Sequence, residues 1–152
     1  MTDCIQRKSE ISEHTIKDCV FCKIIKGDMP CAKIYEDDEH FAMLDINPIA
    51  KGHALVMPKK HAETPLQMDD ESHCRLQKAV MKVAKGIKEG LLCDGLNIFV
   101  NIKKAGGQEV PHVHYHIVPR FITDDQPFKA GHTEYVDMEI DKFKKKIREA
   151  IK

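Results

Sequence analysis

Histidine occupies three alternate positions in the run His112-Val113-His114-Tyr115-His116, and this run constrains the chain more than any other stretch. Side chains of an extended strand alternate between faces, so the three imidazoles share one face, with about 6.6 Å between successive Cα positions, while Val113, Tyr115 and Ile117 turn to the other. Imidazole near neutral pH serves as nucleophile, acid, hydrogen-bond donor or metal ligand. A row of three therefore suits a bound metal or a bound phosphate better than a merely solvated strand face. The run ends at Val118-Pro119-Arg120, a strand stop that carries a permanent cation.

The rest of the chain supplies an α+β frame for that strand. Residues 19 to 26 read as a short helix ended by Gly27, with Pro30 beyond it. Ala32 to Glu36 and His40 to Asp45 read as strands joined by the acidic turn Asp37-Asp38-Glu39. His53 to Met57 is a third strand, opened by Gly52 and closed by Pro58, with Leu55 and Met57 on the side of His53. From Asp69 to Leu92, the apolar residues Leu76, Val80, Val83, Ala84, Ile87 and Leu91 recur at spacings of three and four, which predicts a long helix capped by Asp69 or Asp70. Leu96 to Asn101 is a fourth strand, and the loop from Lys103 to Gln108 leads into the histidine strand. Five strands in an antiparallel sheet with one long helix make the expected domain, residues 18–121. Residues 1–17 read as an N-terminal extension. Residues 122–152 read as a C-terminal one whose helix shows Ile140, Phe143, Ile147 and Ile151 on one face and Lys144-Lys145-Lys146 mostly on the solvated side.

Composition narrows the function. Twenty-four acidic residues balance twenty-four basic ones, so no global field recruits nucleic acid or an anionic membrane, and neither is expected as a partner. No apolar run approaches the length of a membrane span, and the first residues lack a signal-peptide core. The six cysteines lie in unrelated contexts, which argues against a secreted disulfide framework and for reduced thiols. The expected location is the cytoplasm, with the nucleus also open to it in a eukaryote. Cys19-x-x-Cys22 is the exception among the thiols: its spacing permits both sulfurs to meet one zinc ion, and by itself it equally permits a redox dithiol or two buried thiols.

Three ordered blocks carry a family resemblance. Gly106-Gly107-Gln108-Glu109-Val110-Pro111 followed by His112-Val113-His114-Tyr115-His116-Ile117-Val118 resembles the signature of the histidine triad (HIT) family. The block from Asp45-Ile46-Asn47-Pro48 through Lys51-Gly52-His53 to His61, and Cys19-Val20-Phe21-Cys22-Lys23-Ile24-Ile25, resemble the same family, above all its nucleoside phosphoramidase branch with a zinc-binding C-x-x-C.

The resemblance implies a HIT-like fold and a homodimer in which the sheets of two subunits join. It implies a hydrolase acting at the α-phosphate of a purine nucleotide, in which His114 attacks the phosphorus and forms a covalent nucleotidyl-histidine that water then cleaves. His116 would donate to the phosphate oxygens and His53 would line the same pocket. The backbone carbonyl of His112 would fix which nitrogen of His114 is free. Structural zinc would be held by Cys19, Cys22, His61 and His112. For the substrate, the resemblance assigns Gly107, Gln108 and Asn101 to phosphate, Asp45 to ribose hydroxyls, and Phe21, Ile25 and Ile46 to an apolar slot for the base. Glu109 stands where the phosphoramidase branch has a serine that assists the leaving group, so the leaving group is left open between an amine and a second phosphate. His116, which nucleotidyl transferases of the superfamily replace by Gln, favours hydrolysis over transfer. The rival reading from another class is a zinc-stabilised nucleotide sensor or scaffold whose turnover is incidental.

Overall fold

The computed structural model describes residues 17–124 and 131–151. Most of the expected N-terminal extension and part of the loop at 123–127 lie outside the described residues. Residues 17–18 are helical, and helix α1 (Val20–Lys26) follows, where Cys19 is the N-cap and its Sγ accepts the Cys22 backbone N–H at 3.5 Å. Gly27, at φ 87°, ends the helix in the left-handed conformation that glycine adopts without penalty. Strands β1 (Lys33–Glu36), β2 (His40–Leu44) and β3 (Ala54–Pro58) follow, then the long helix α2 (Asp70–Leu91), β4 (Gly95–Val100), β5 (Tyr115–Arg120) and a terminal helix α3 (Glu139–Ala150). Asp69 caps α2 as expected, its carboxylate accepting the Ser72 N–H at 2.8 Å, while Asp70 and Glu71 place negative charge at the positive end of the dipole.

All neighbouring strands run antiparallel in the order β1-β2-β3-β5-β4. The period-two alternation sorts two cores onto the two faces. Ala42, Ala54, Val56, Val113, Tyr115 and Ile117 pack against Leu76, Ala79, Val80, Val83, Ala84 and Ile87 of α2. Phe41, Met43, Leu55 and Met57 pack on the other face against Cys19, Phe21 and Cys22 at the start of α1. Each fully buried Leu, Val or Met side chain contributes roughly 1.5–3 kcal/mol, so the α2 face carries most of the stability. The smaller core has a different use, because it seats α1 against the face on which the histidines stand.

Two local expectations need correction. The histidine strand begins at Tyr115, so His112 and His114 stand in an extended approach before the ladder and only His116 is paired within it. The cause is local: Val113 donates its N–H to Ala62 O at 2.8 Å and His112 donates its own to Val110 O, which draws this segment away from a neighbouring strand. Pro119 also lies inside the ladder, opposite Leu96, rather than stopping it. The apolar stripe of α3 does form, but Ile140, Phe143, Ile147 and Ile151 are all exposed. Among the described residues no helix is long and apolar enough to cross a membrane.

Candidate active site and metal cluster

Hydrogen bonds to groups that can only donate or only accept fix the protonation of a histidine ring. His114 Nδ1 lies 2.7 Å from the carbonyl oxygen of His112. A carbonyl only accepts, so the proton is on Nδ1 and the lone pair is on Nε2. His112 obeys the same logic in reverse. Its Nε2 lies 2.8 Å from the Pro58 carbonyl and carries the proton, which leaves the Nδ1 lone pair exposed to the sulfurs of α1.

That lone pair faces three other donors. His112 Nδ1 is 3.4 Å from Cys19 Sγ, 3.6 Å from Cys22 Sγ and 3.2 Å from His61 Nδ1, and His61 Nδ1 is 3.4 Å from Cys22 Sγ. All four residues are at least nine-tenths buried. Burial pushes the His112 ring down to about 4 and, with the neighbouring Cys19, pushes the Cys22 thiol up to about 12. Two soft sulfurs and two neutral imidazole nitrogens converging in a dry pocket form a candidate metal-binding site, with the four ligand atoms mutually within 4.8 Å.

The remaining histidines gather on the other side of His114. His116 pairs with Leu55 of β3 and Phe99 of β4 across the ladder, and its ring stacks on Phe99 at 4.6 Å with 11° between planes. His53, just before β3, places Nε2 3.0 Å from His116 Nδ1, and its Nδ1 accepts the Ile49 backbone N–H at 3.1 Å. The His114 and His116 rings meet edge to face at 4.9 Å, and Phe21 stands edge-on to His114 at 5.0 Å. Burial pushes His116 down to about 4, with the His114 and His53 charges adding to it. It also lowers His114, against the opposing pull of the His112 carbonyl, Asp45 and Glu109, and it lowers His53 against Asp45. The row is therefore a set of neutral rings near pH 7.

The other sequence-selected residues occupy more varied positions. Asp45 accepts the Asn47 N–H at 2.8 Å and sets its second oxygen 3.7 Å from His53 Nδ1. Ile25 is half-buried on the α1 core with Phe21, whereas Ile46 stands 90% exposed at the turn after Asp45. Asn101 donates to the Gly107 carbonyl at 3.2 Å, and Gly107 adopts φ 87°. Glu109 is exposed beside His114, whose ring its charge favours in the protonated form. Gln108 is buried, and its amide is fully engaged: Oε1 accepts from Lys103 N at 2.8 Å, and Nε2 donates to Glu63 O at 2.7 Å and Val110 O at 3.0 Å. In this arrangement Gln108 ties the loop to the chain before α2, and it holds Lys103 at φ 62°, an uncommon conformation for a residue with a Cβ.

Three participants had not been singled out from sequence: Phe99, the Pro58 carbonyl and the Ile49 N–H. Phe99 looks like any strand aromatic until the β4–β5 register puts it opposite His116. Backbone groups carry no side-chain signature at all.

This fold and this cluster of histidines define a histidine triad domain. A family model described as the HIT domain matches residues 26–123, and the chain belongs to that family. An uncharacterised HIT-like protein of Methanocaldococcus jannaschii is 46% identical over 121 residues, 80% of this chain and 93% of that protein. An adenosine 5′-monophosphoramidase of Schizosaccharomyces pombe is 44% identical over 102 residues, 67% of this chain and 74% of that protein. Among solved structures, a Streptococcus mutans protein superposes with a TM-score of 0.81 at 37% identity, covering 89% of this chain and 86% of its own. A zinc-bound histidine triad family protein of Mycobacterium smegmatis superposes with a TM-score of 0.70 at 38% identity, covering 78% and 86%.

Proposed function

We propose that the chain is a nucleotide hydrolase of the nucleoside phosphoramidase kind, with His114 as the nucleophile. The observation that carries this reading is the 2.7 Å contact from His114 Nδ1 to the His112 carbonyl, which leaves the Nε2 lone pair free in the pocket. In the first step a bond forms from Nε2 to the α-phosphorus and the bond from phosphorus to the leaving group breaks, its electron pair going to the amine, which takes up a proton from solvent, or to the phosphate, which leaves as the anion. The ring becomes cationic while it holds the nucleotidyl group, and the His112 carbonyl and the exposed Glu109 carboxylate stabilise that charge. In the second step water attacks phosphorus, the N–P bond breaks, and a nucleoside 5′-monophosphate leaves with His114 neutral again. His116 Nε2, a buried ring nitrogen without a hydrogen-bond partner among the described residues, donates to a phosphate oxygen as charge builds there. Asp45 binds ribose hydroxyls, and Phe21, Ile25 and Ile46 wall the purine. Asn101 and Gly107 shape the phosphate side of the pocket.

Zinc is the ion that suits Cys19, Cys22, His61 and His112. Around a tetrahedral zinc, bonds of about 2.0–2.1 Å to nitrogen and 2.3 Å to sulfur put ligand atoms about 3.3–3.8 Å apart. The nitrogen–nitrogen and nitrogen–sulfur separations of 3.2–3.6 Å match that spacing. When bound, zinc contributes structural stability, and through His112 it anchors the carbonyl that orients His114. Two cysteine ligands in the thiolate form fit a reducing compartment such as the cytoplasm. A homodimer joined along the edge strand β4 agrees with the sheet order, since β4 pairs on one side with β5.

The test is to incubate the protein with adenosine 5′-phosphoramidate and, separately, with a diadenosine polyphosphate, following AMP release by wild type and His114→Ala. Release from the phosphoramidate that vanishes in the variant supports the proposal. Cleavage of the polyphosphate alone moves the chain to the dinucleoside branch. No release from either substrate favours the sensor or scaffold.

A further inference from the structure

Both ring nitrogens of His53 are hydrogen-bonded within the chain, Nδ1 to the Ile49 backbone and Nε2 to His116. A backbone N–H can only donate, so the Ile49 N–H at 3.1 Å requires a lone pair on His53 Nδ1. A neutral His53 then carries its proton on Nε2, which lies 3.0 Å from His116 Nδ1 and donates to it. His116 Nδ1 is thereby an acceptor, and the His116 proton is forced onto Nε2. Among the described residues that atom is buried with no partner, a donor awaiting an acceptor. Each link leaves one choice for the next, starting from a main-chain group that does not titrate.

Phe99 supplies the second constraint. Its ring lies flat on His116, 4.6 Å between centroids and 11° between planes, while His114 meets the same ring edge to face. A hydrogen bond at Nδ1 fixes one point of the imidazole, and stacking fixes its plane, so together they set the direction of Nε2–H. We infer that His53 and Phe99 are positioning residues, which hold His116 as a preset Nε2–H donor for a phosphate oxygen. Preset donors need no reorganisation as charge develops in the transition state. Burial, which keeps both His53 and His116 neutral near pH 7, preserves the chain of single protons.

The inference deepens the hydrolase reading and rests on it for its effect on rate, but the tautomer itself is measurable without turnover. In long-range ¹⁵N–¹H correlation spectra of the zinc-loaded protein, His116 is expected as the Nε2–H tautomer. His53→Leu removes the donor to Nδ1: His116 should become a mixture of tautomers, and kcat for AMP release should fall about 10- to 100-fold, less than the roughly 100- to 1,000-fold for outright removal of an oriented donor. His53→Gln, whose amide N–H₂ reaches the same point, should restore the Nε2–H tautomer and most of kcat. Phe99→Leu should keep the tautomer and lower kcat with little change in KM. Retention of the Nε2–H tautomer in His53→Leu overturns the inference, and so does a loss of rate in His53→Gln equal to that of His53→Leu when both spectra show a folded protein. Absence of AMP release by wild type defeats the hydrolase reading alone, because the tautomer comparison still decides what His53 does.

Discussion

The Pro58 carbonyl and the His112 carbonyl act as a pair. Pro58 O fixes the proton of His112 on Nε2 at 2.8 Å, and His112 O fixes the proton of His114 on Nδ1 at 2.7 Å. One residue, His112, thus presents its side chain to the sulfurs of α1 and its main chain to the His114 ring. The last residue of β3 therefore determines which nitrogen of His112 is free to meet a metal, and a metal held there restrains the segment that orients His114. The metal cluster and the candidate catalytic centre share a backbone, and a disturbance at Cys19 or Cys22 should be felt at His114 as a change of geometry rather than of chemistry.

Cys19→Ser separates the two roles of that cysteine. Serine retains an oxygen able to accept the Cys22 N–H and cap α1. It is a poor zinc ligand, so the loss isolates metal binding. Metal-replete wild type should melt higher than the variant by roughly 5–10 °C, corresponding to a few kcal/mol for a chain of this size. Chelation should lower wild type toward the variant and leave the variant where it was. Equal melting temperatures in the presence of zinc would remove the metal assignment.

Gln108 tests the difference between binding phosphate and tying a loop. Its amide makes three hydrogen bonds to main-chain groups, and Gln108→Ala should cost about 2–4 kcal/mol in urea unfolding. Gln108→Glu should be at least as harmful, because it turns a carboxylate toward the Glu63 and Val110 carbonyls in place of the amide N–H₂. A phosphate ligand would behave differently, with both variants folding like wild type and only substrate binding impaired.

Much of this was legible in the sequence, for identifiable reasons. The long helix declared itself through the three–four spacing of Leu76, Val80, Val83 and Ile87, all of which are buried. The sides of β3 followed from alternation, which places Leu55 and Met57 with His53 and away from Ala54 and Val56. The convergence of Cys19 and Cys22 with His61 and His112 came from the family resemblance, since separations of 39 to 93 residues leave no local pattern. Other features depend on three-dimensional register: Phe99 over His116, the Ile49 N–H on His53, and the start of β5 at Tyr115. Gln108 is instructive in another way. Its place in the glycine loop suggested a contact to phosphate, while its neighbours claim every hydrogen-bonding group of its amide.

Gly52 is a turn residue whose backbone disfavours a side chain and whose Cβ would require Leu91, an exposed side chain, to move aside. Its φ of 94° disfavours any Cβ, and a Cβ there would meet Leu91 Cδ1 and lie 3.4 Å from Pro119 Cγ. Gly52→Ala should therefore destabilise by about 2–4 kcal/mol, near 5–15 °C in Tm. The strain falls on the residue adjoining His53, so kcat should drop along with stability. Gly86→Ala is the control. It lies in α2 with open space where its Cβ would be, and it should stabilise by up to about 1 kcal/mol. A Gly52→Ala protein as stable as wild type would contradict the packing of α2 against the β3 approach.

Acid should act on rate and stability through the same rings, with the sign set by their lowered pKa. In the proposed reaction His114 attacks only when neutral, and burial lowers its pKa from the usual histidine value. The nucleophilic form is thus present above its folded pKa and lost as pH falls through it, so the acid limb of kcat/KM should lie below 6.5. Glu109→Gln removes a charge that favours protonated His114, and it should move that limb further down. For stability, His116 binds its proton near 4 when folded and near 6.5 when unfolded. Between those values the unfolded chain holds the extra proton, so stability declines as pH drops through the window, by up to about 1.4 kcal/mol per pH unit for this ring. Urea titrations from pH 7 to 4 and pH–rate profiles of AMP release measure the two effects. An acid limb at or above 6.5 that Glu109→Gln fails to move would show that His114 is not the group whose protonation limits the reaction.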